Sequence, residues 1–173
     1  SVTVTNTPTL TGVSATAVCT GTSSVITLSG LIPSLGGNVI TYAVPTIAGG
    51  ADQTVTVASN ISGDATFNLP VVIGDNGQTL TIYSIANGCT NTLTGITTTL
   101  TVNALPTITL SAIPAVCFSA GSQSASLAYT ATTGTPTTYT ITGWSAAAVT
   151  AGFTNVGTTA LPASPILVSV PAS

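Results

Sequence analysis

The sequence has no lysine, arginine, histidine, glutamate or methionine, and Asp52, Asp64 and Asp75 are its only acidic side chains, for a net charge of −3 over 173 residues. Each absence removes a class of function. Proton transfer near neutral pH needs a positioned histidine, carboxylate or lysine, and almost no candidate exists. Serine and threonine abound, but no base is present to activate one as a nucleophile. Without a single cation the chain cannot neutralise phosphates, so nucleic acid and anionic lipid headgroups are excluded as electrostatic partners. No apolar run approaches the roughly 18 residues that a membrane-spanning helix needs. The opening residues SVTVTNTPTL have neither the basic start nor the apolar block of a signal peptide, so an interior segment or a processed product is expected.

What is present points to strands. Hydrophobic residues make up 44% of the chain, enough for a packed core, and Thr and Ser take the place of the charged residues that usually form about a quarter of a soluble protein. Thr and Val are stiff at χ1 and suit a pleated surface better than a helix.

The chain also repeats. Setting Pro8-Thr9-Leu10-Thr11 on Pro106-Thr107-Ile108-Thr109 brings Ala17-Val18-Cys19 onto Ala115-Val116-Cys117, a period of 98 residues. The same offset lays Val2-Thr3-Val4 on Leu100-Thr101-Val102, so residues 1–5 are expected to be the final strand of a preceding module. Residues 6–103 then form one complete module and 104–173 a second one, incomplete at its C-terminal end. Between them Thr101-Val102-Asn103-Ala104-Leu105-Pro106 offers no Gly/Ser-rich spacer, which predicts a stiff junction.

Seven strand-like runs are predicted in the first module, near 9–17, 24–32, 38–47, 53–59, 65–73, 78–86 and 93–103. Turn residues separate them, among them Gly36-Gly37-Asn38, Asp75-Asn76-Gly77 and Asn87-Gly88. Seven short strands in about a hundred residues predict an all-β, immunoglobulin-like β-sandwich, with a small barrel or jelly roll as the alternative. Ser145-Ala146-Ala147-Ala148-Val149 is the one place where a helical turn is expected.

Three cysteines remain to be placed. Cys19 and Cys89 stand 70 residues apart in a chain that reads as extracellular, and a disulfide between them is expected; closing so long a loop would contribute about 4 kcal/mol in the chain-entropy view. Cys117 repeats Cys19, and the counterpart of Cys89 would fall about fourteen residues past Ser173, so Cys117 is expected to be unpaired within this sequence. No histidine or nearby second cysteine completes a zinc set, and the three aspartates, each in a turn context without a DxDxDG run, are expected to serve turns rather than calcium. No metal or cofactor is therefore expected. Asn60-Ile61-Ser62 is a formal N-glycosylation sequon. Trp144, Tyr139 and Tyr129 could stack against a sugar, although core packing explains them as well.

The stretch LPTITLSAIPAVCFSAGSQSASLAYTATTGTPTTYTI, followed by AGFTNV and LPASPILVSVP, resembles the Ig-like or PKD-like repeat modules of very large Bacteroidota surface proteins, the SprB-type gliding adhesins and related cell-surface fibres. It covers most of residues 104–173, echoed by the Pro, Thr and Cys pattern of 8–19. The resemblance implies type IX secretion, a cell-surface location, neighbouring repeat modules and surface polysaccharide as partners, and a role in adhesion or gliding, with no catalytic residue to carry over. The leading expectation is a non-catalytic stalk segment of an adhesin or filament. A self-assembling fibre or pilin-like subunit joined by strand donation is the alternative, and a carbohydrate-binding accessory domain the third reading.

Overall fold

Alternating Thr and aliphatic residues form strands through most of the chain. A computed structural model describes residues 6–112, 114–117 and 119–172; the expected spare strand at 1–5 lies outside the described residues. The chain divides into two compact units, Ser1–Ala104 and Leu105–Ser173.

Among the described residues of the first unit nine strands run in the order β1 (Gly12–Ala15), β2 (Val18–Cys19), β3 (Ser23–Ser29), β4 (Asn38–Ala43), β5 (Gln53–Val57), β6 (Ala65–Pro70), β7 (Thr79–Asn87), β8 (Cys89–Thr99) and β9 (Val102–Asn103). They build a three-stranded sheet β1-β3-β6 and a four-stranded sheet β5-β4-β7-β8, while β2 and β9 pair in parallel. This is the strand order of an immunoglobulin-like sandwich with one extra edge strand, β5, beside β4. The fold is thus all-β and of the sandwich type.

The period of two decides which residues are buried. Ile26 and Leu28 on β3 and Phe67 and Leu69 on β6 point inward from the first sheet; Ile40 and Tyr42 on β4 and Leu80, Ile82 and Ile85 on β7 meet them from the second. Tyr42 and Phe67 meet with ring centroids 5.1 Å apart. Leu100 and Val102, each 1% exposed, close the side of the core next to Val18. Full burial of an aliphatic side chain of this kind contributes roughly 1.5–3 kcal/mol.

Two predicted strands break where the chain changes sheet. Of the run 9–17 only 12–15 is strand, as β1, with β2 following just past it at Val18–Cys19, and the break between them is clamped at Thr16, whose carbonyl accepts from Ser24 Oγ (2.7 Å) and whose Oγ1 accepts from Val25 N–H (2.9 Å). The run 93–103 starts earlier, at Cys89, and is interrupted at Leu100–Thr101 before β9. Between β7 and β8 the register passes from Ile82–Ile96 to Ser84–Thr92, so three residues oppose the single Tyr83. Gly95, with φ of 77°, permits that bulge.

The second unit contains β10 (Thr107–Leu110), β11 (Gln123–Leu127), β12 (Tyr129–Thr133), β13 (Thr138–Ile141), β14 (Val156–Ala160) and β15 (Ile166–Val170). These pair as β10-β12, β11-β15 and β13-β14. The helical turn expected near 145–149 is α1 (Ala146–Thr150), whose N-cap Ser145 accepts from the Ala148 N–H. Matching registers relate the units: Ala125–Val168 and Leu127–Ile166 repeat Ile26–Phe67 and Leu28–Ala65. Only Ala125 and Ile166 among the described hydrophobic residues of this unit are buried.

Candidate functional site

With no ion pair possible, hydroxyls and amides tie the loops of the first unit together. Ser59 Oγ donates to the Ile32 carbonyl (2.6 Å) and accepts from the Leu35 N–H. Asn38 Nδ2 donates to the Leu35 carbonyl, and Asn87 Nδ2 reaches the Gly36 carbonyl at 2.6 Å. No buried side-chain nitrogen or oxygen lacks a partner among the described residues, so this polar set stabilises the fold without leaving an atom aimed at a ligand.

The three aspartates separate in role and place. Asp75 is buried at 3% exposure and accepts from Thr46 Oγ1 (2.5 Å) and the Val72 N–H (2.8 Å). Next to it, Asn76 Oδ1 accepts from the Val102 N–H at 2.9 Å and ties the turn to the last strand. Asp52 is exposed and Asp64 half-buried. Among the described residues no group of three His, Cys, Asp or Glu side chains comes together. Asn60, the sequon residue, is exposed, and its Oδ1 accepts from the Ser62 and Asp64 N–H groups at 2.8 and 2.9 Å, which makes it a turn clamp.

The structure does not bring the two cysteines expected to bridge together. Cys89 opens β8 and faces Asn87 across the turn at Gly88, at one end of β7. Cys19 pairs with Asn103, next to Val102, whose N–H is held by Asn76 ahead of the other end of β7. The length of β7 separates them, about 30 Å at 3.3 Å per residue, whereas bridged Cα atoms stand about 4.4–6.8 Å apart. The Cys19–Cys89 disulfide within the unit is therefore corrected: β2 and the β7–β8 turn lie at opposite ends of the sandwich, a relation that sequence spacing does not reveal. Cys117 is exposed.

The aromatic residues considered for sugar stacking are dispersed. Tyr129 lies on β12 with its hydroxyl donating to the Pro162 carbonyl (2.6 Å), and Tyr139 lies on β13 in a different sheet. Trp144 precedes α1, donates Nε1–H to the Thr154 carbonyl (2.9 Å) and packs on Phe153 at 4.9 Å between centroids. All three are half-buried, and they form no row of ring faces on one sheet.

Trp144 does belong to a feature that the sequence reading missed. An apolar groove of about 380 Å³ opens in the second unit between Val116, Ala125, Leu127, Trp144, Val168 and Val170. Four of these are the inward positions of β11 and β15, whose counterparts in the first unit lie under the second sheet. The alternation of Ile166-Leu167-Val168-Ser169-Val170 carried the signal that one face of this strand is apolar. Chemically the groove can bind apolar side chains. No family model and no curated protein sequence matches the chain.

Proposed function

We propose that this chain is a structural, non-catalytic repeat segment of a secreted bacterial surface adhesin or filament, exported by a type IX route and serving adhesion or gliding. The observation that carries the reading is repetition: the sequence repeats Pro8–Cys19 at Pro106–Cys117, 98 residues on, and each unit then has an antiparallel ladder, β3 with β6 and β11 with β15, at slightly longer offsets of 99 and 101 residues. Repetition of a sandwich suits a protein whose work is to extend and present a surface. Three further observations support it. The acidic residues are few and scattered, the buried polar groups serve turns and loop ties, and the lack of Lys and Arg removes every trypsin site from an exposed fibre. Surface polysaccharide and neighbouring modules are its expected partners.

The test is the intact mass of the native polypeptide under denaturing, reducing conditions, combined with surface proteolysis of whole cells. A mass of hundreds of kilodaltons that is lost on shaving the cell surface supports the tandem array. A mass near the 16.8 kDa of this chain, or a product protected inside cells, overturns it.

A further inference from the structure

We propose that a cleft of the first unit, between the loop at 45–50 and the outer face of β7, binds a neutral polysaccharide with Tyr83 as its stacking residue. The proposal names a site for the surface polysaccharide, and for that choice of ligand it rests on the filament reading above.

Tyr83 stands where the strand pattern breaks. Leu80, Ile82 and Ile85 on β7 are buried in the core, and the step from Ile82 to Ile85 is where strict alternation is lost. On one side Thr41 pairs with Ser84 and Tyr42 with Ile82; on the other Ile96 pairs with Ile82 and Thr92 with Ser84. Tyr83 is thus outside both ladders. A bulge re-aims a side chain, and this one leaves the ring 44% exposed, whereas Trp144, Tyr129 and Tyr139 are half-buried. Among the described residues the hydroxyls of Tyr83, Thr79 and Thr81 have no hydrogen-bond partner.

The cleft has a volume of about 320 Å³ and is lined by Ala43, Pro45, Gly49 and Gly50 together with Thr79, Thr81 and Tyr83. Small-molecule sites start at roughly 300 Å³ and combine an apolar lining with a few placed polar groups. Its loop wall is built in advance. Ala48, Gly49 and Gly50 follow one another at φ of 51°, 68° and 80°, and the Gly50 N–H donates to the Ile47 carbonyl (3.0 Å) as the Ile47 N–H does to that of Val44 (3.1 Å). Thr46 of the same loop is tied to Asp75. A Cβ on Gly49 would meet nothing within 4 Å, so its backbone is open to a ligand.

A pyranose has an apolar C–H face and a rim of hydroxyls. The tyrosine ring offers a flat apolar face with a polar tip, and threonine hydroxyls both donate and accept. Thr79 and Thr81 lie opposite Thr99 and Thr97 of β8, both exposed, so the hydroxyls continue beyond the cleft and suit a polymer better than a single sugar. The chain has no cation and a net charge of −3, which leaves an anionic polymer without a partner charge. Neutral sugar is the class these groups match.

The experiment titrates the isotope-labelled full chain with dextran, laminarin, galactomannan and xyloglucan, and with alginate and dextran sulfate as anionic counterparts, following backbone amides by NMR. Expected are saturable shifts at Gly49, Gly50, Thr79, Thr81 and Tyr83 with at least one neutral polymer and none with the anionic ones. Tyr83→Ala should weaken that binding about tenfold and Thr81→Val about threefold, while Tyr83→Phe, which keeps the ring, and Tyr139→Ala in the second unit should bind within about twofold of the parent. No response at these amides to any of the four neutral polymers, shifts confined to other residues, equal binding of the anionic polymers, or a folded Tyr83→Ala variant of unchanged affinity each overturn the proposal. The two readings fail separately. A very large, surface-exposed native polypeptide whose cleft ignores the neutral polymers leaves the filament and removes the site, while a small or intracellular one that binds them at Tyr83 keeps the site and removes the filament.

Discussion

Thr46 Oγ1 donates a 2.5 Å hydrogen bond to Asp75 Oδ1 across 29 residues of sequence, joining the loop after β4 to the turn before β7. Asp75 is buried, and no cation exists anywhere in the chain to accompany it. Its carboxylate is held by neutral donors alone, Thr46 on one oxygen and the Val72 N–H on the other.

Removing that carboxylate leaves the Thr46 hydroxyl and the Val72 N–H, both on exposed residues, without their buried partner. Hydrogen bonds to a charged group contribute about 1.5–3 kcal/mol each, so Asp75→Ala is expected to lower unfolding stability by about 3 kcal/mol. Asp75→Asn should lose about half of that, because the amide retains one acceptor oxygen. Urea unfolding followed by circular dichroism measures both; an Ala variant as stable as the parent would show that the carboxylate is not a tie.

Burial raises the phenol of Tyr42 above its ordinary value of 10.0. The unfolded chain then releases this proton at a lower pH than the folded one. The contribution to stability is complete below about pH 10 and is lost as pH rises from there through the folded value. The urea midpoint is expected to fall above pH 10, and Tyr42→Phe should remove part of the fall. Identical alkaline profiles for the two proteins would contradict this assignment.

Low charge leaves little for salt to screen. With a net charge of −3 and no basic side chain, no ion pair contributes to the fold, so the urea midpoint is expected to be nearly constant from 50 mM to 500 mM sodium chloride. A shift larger than about 0.5 kcal/mol, the scale of a single surface pair, would mean that an ion binds specifically.

The fold class was legible because it depends on local pattern. Strand 53–57 alternates Val55 and Val57 with Thr54 and Thr56, and Ser145 caps a run of alanines; the structure contains both elements. The candidate site was less legible because its parts depend on which ends of strands come together. Seventy residues separate Cys19 from Cys89, yet the break at Thr16 sends β2 to the far end of the sandwich from Cys89. The groove was missed for a similar reason. Val168 and Val170 look like ordinary core positions until the ladders are assigned and β15 is seen to pair with β11 in a two-stranded sheet among the described residues.

The placement of Cys19 gives a direct check on that correction. Cys19 is exposed, and a native cross-link over such a loop would contribute several kcal/mol. Cys19→Ser is therefore expected to leave the urea midpoint unchanged within about 0.5 kcal/mol, the usual range for surface substitutions. In the folded parent Cys19 should react with a maleimide without prior reduction. A loss of several kcal/mol, or a thiol that appears only after reduction, would restore a bridge.

Two glycines separate backbone conformation from steric fit. Gly63 and Gly77 have almost the same φ, 80° and 76°, a left-handed region that disfavours a Cβ by roughly 1–2 kcal/mol. They differ in what that Cβ would meet. At Gly77 nothing lies within 4 Å, whereas at Gly63 it would stand 2.4 Å from the Leu31 carbonyl oxygen. That contact cannot be relieved by a rotamer change, because it is to backbone, and the Leu31 N–H already donates to the Gly63 carbonyl at 2.9 Å. Gly77→Ala should therefore lose about 1 kcal/mol, the conformational term alone. Gly63→Ala should lose at least about 2 kcal/mol more, since the loop after β3 must shift and Leu31, 3% exposed in the core, moves with it. Equal losses at the two positions would mean that the Leu31–Gly63 approach relaxes freely and that this loop is not fixed by its packing.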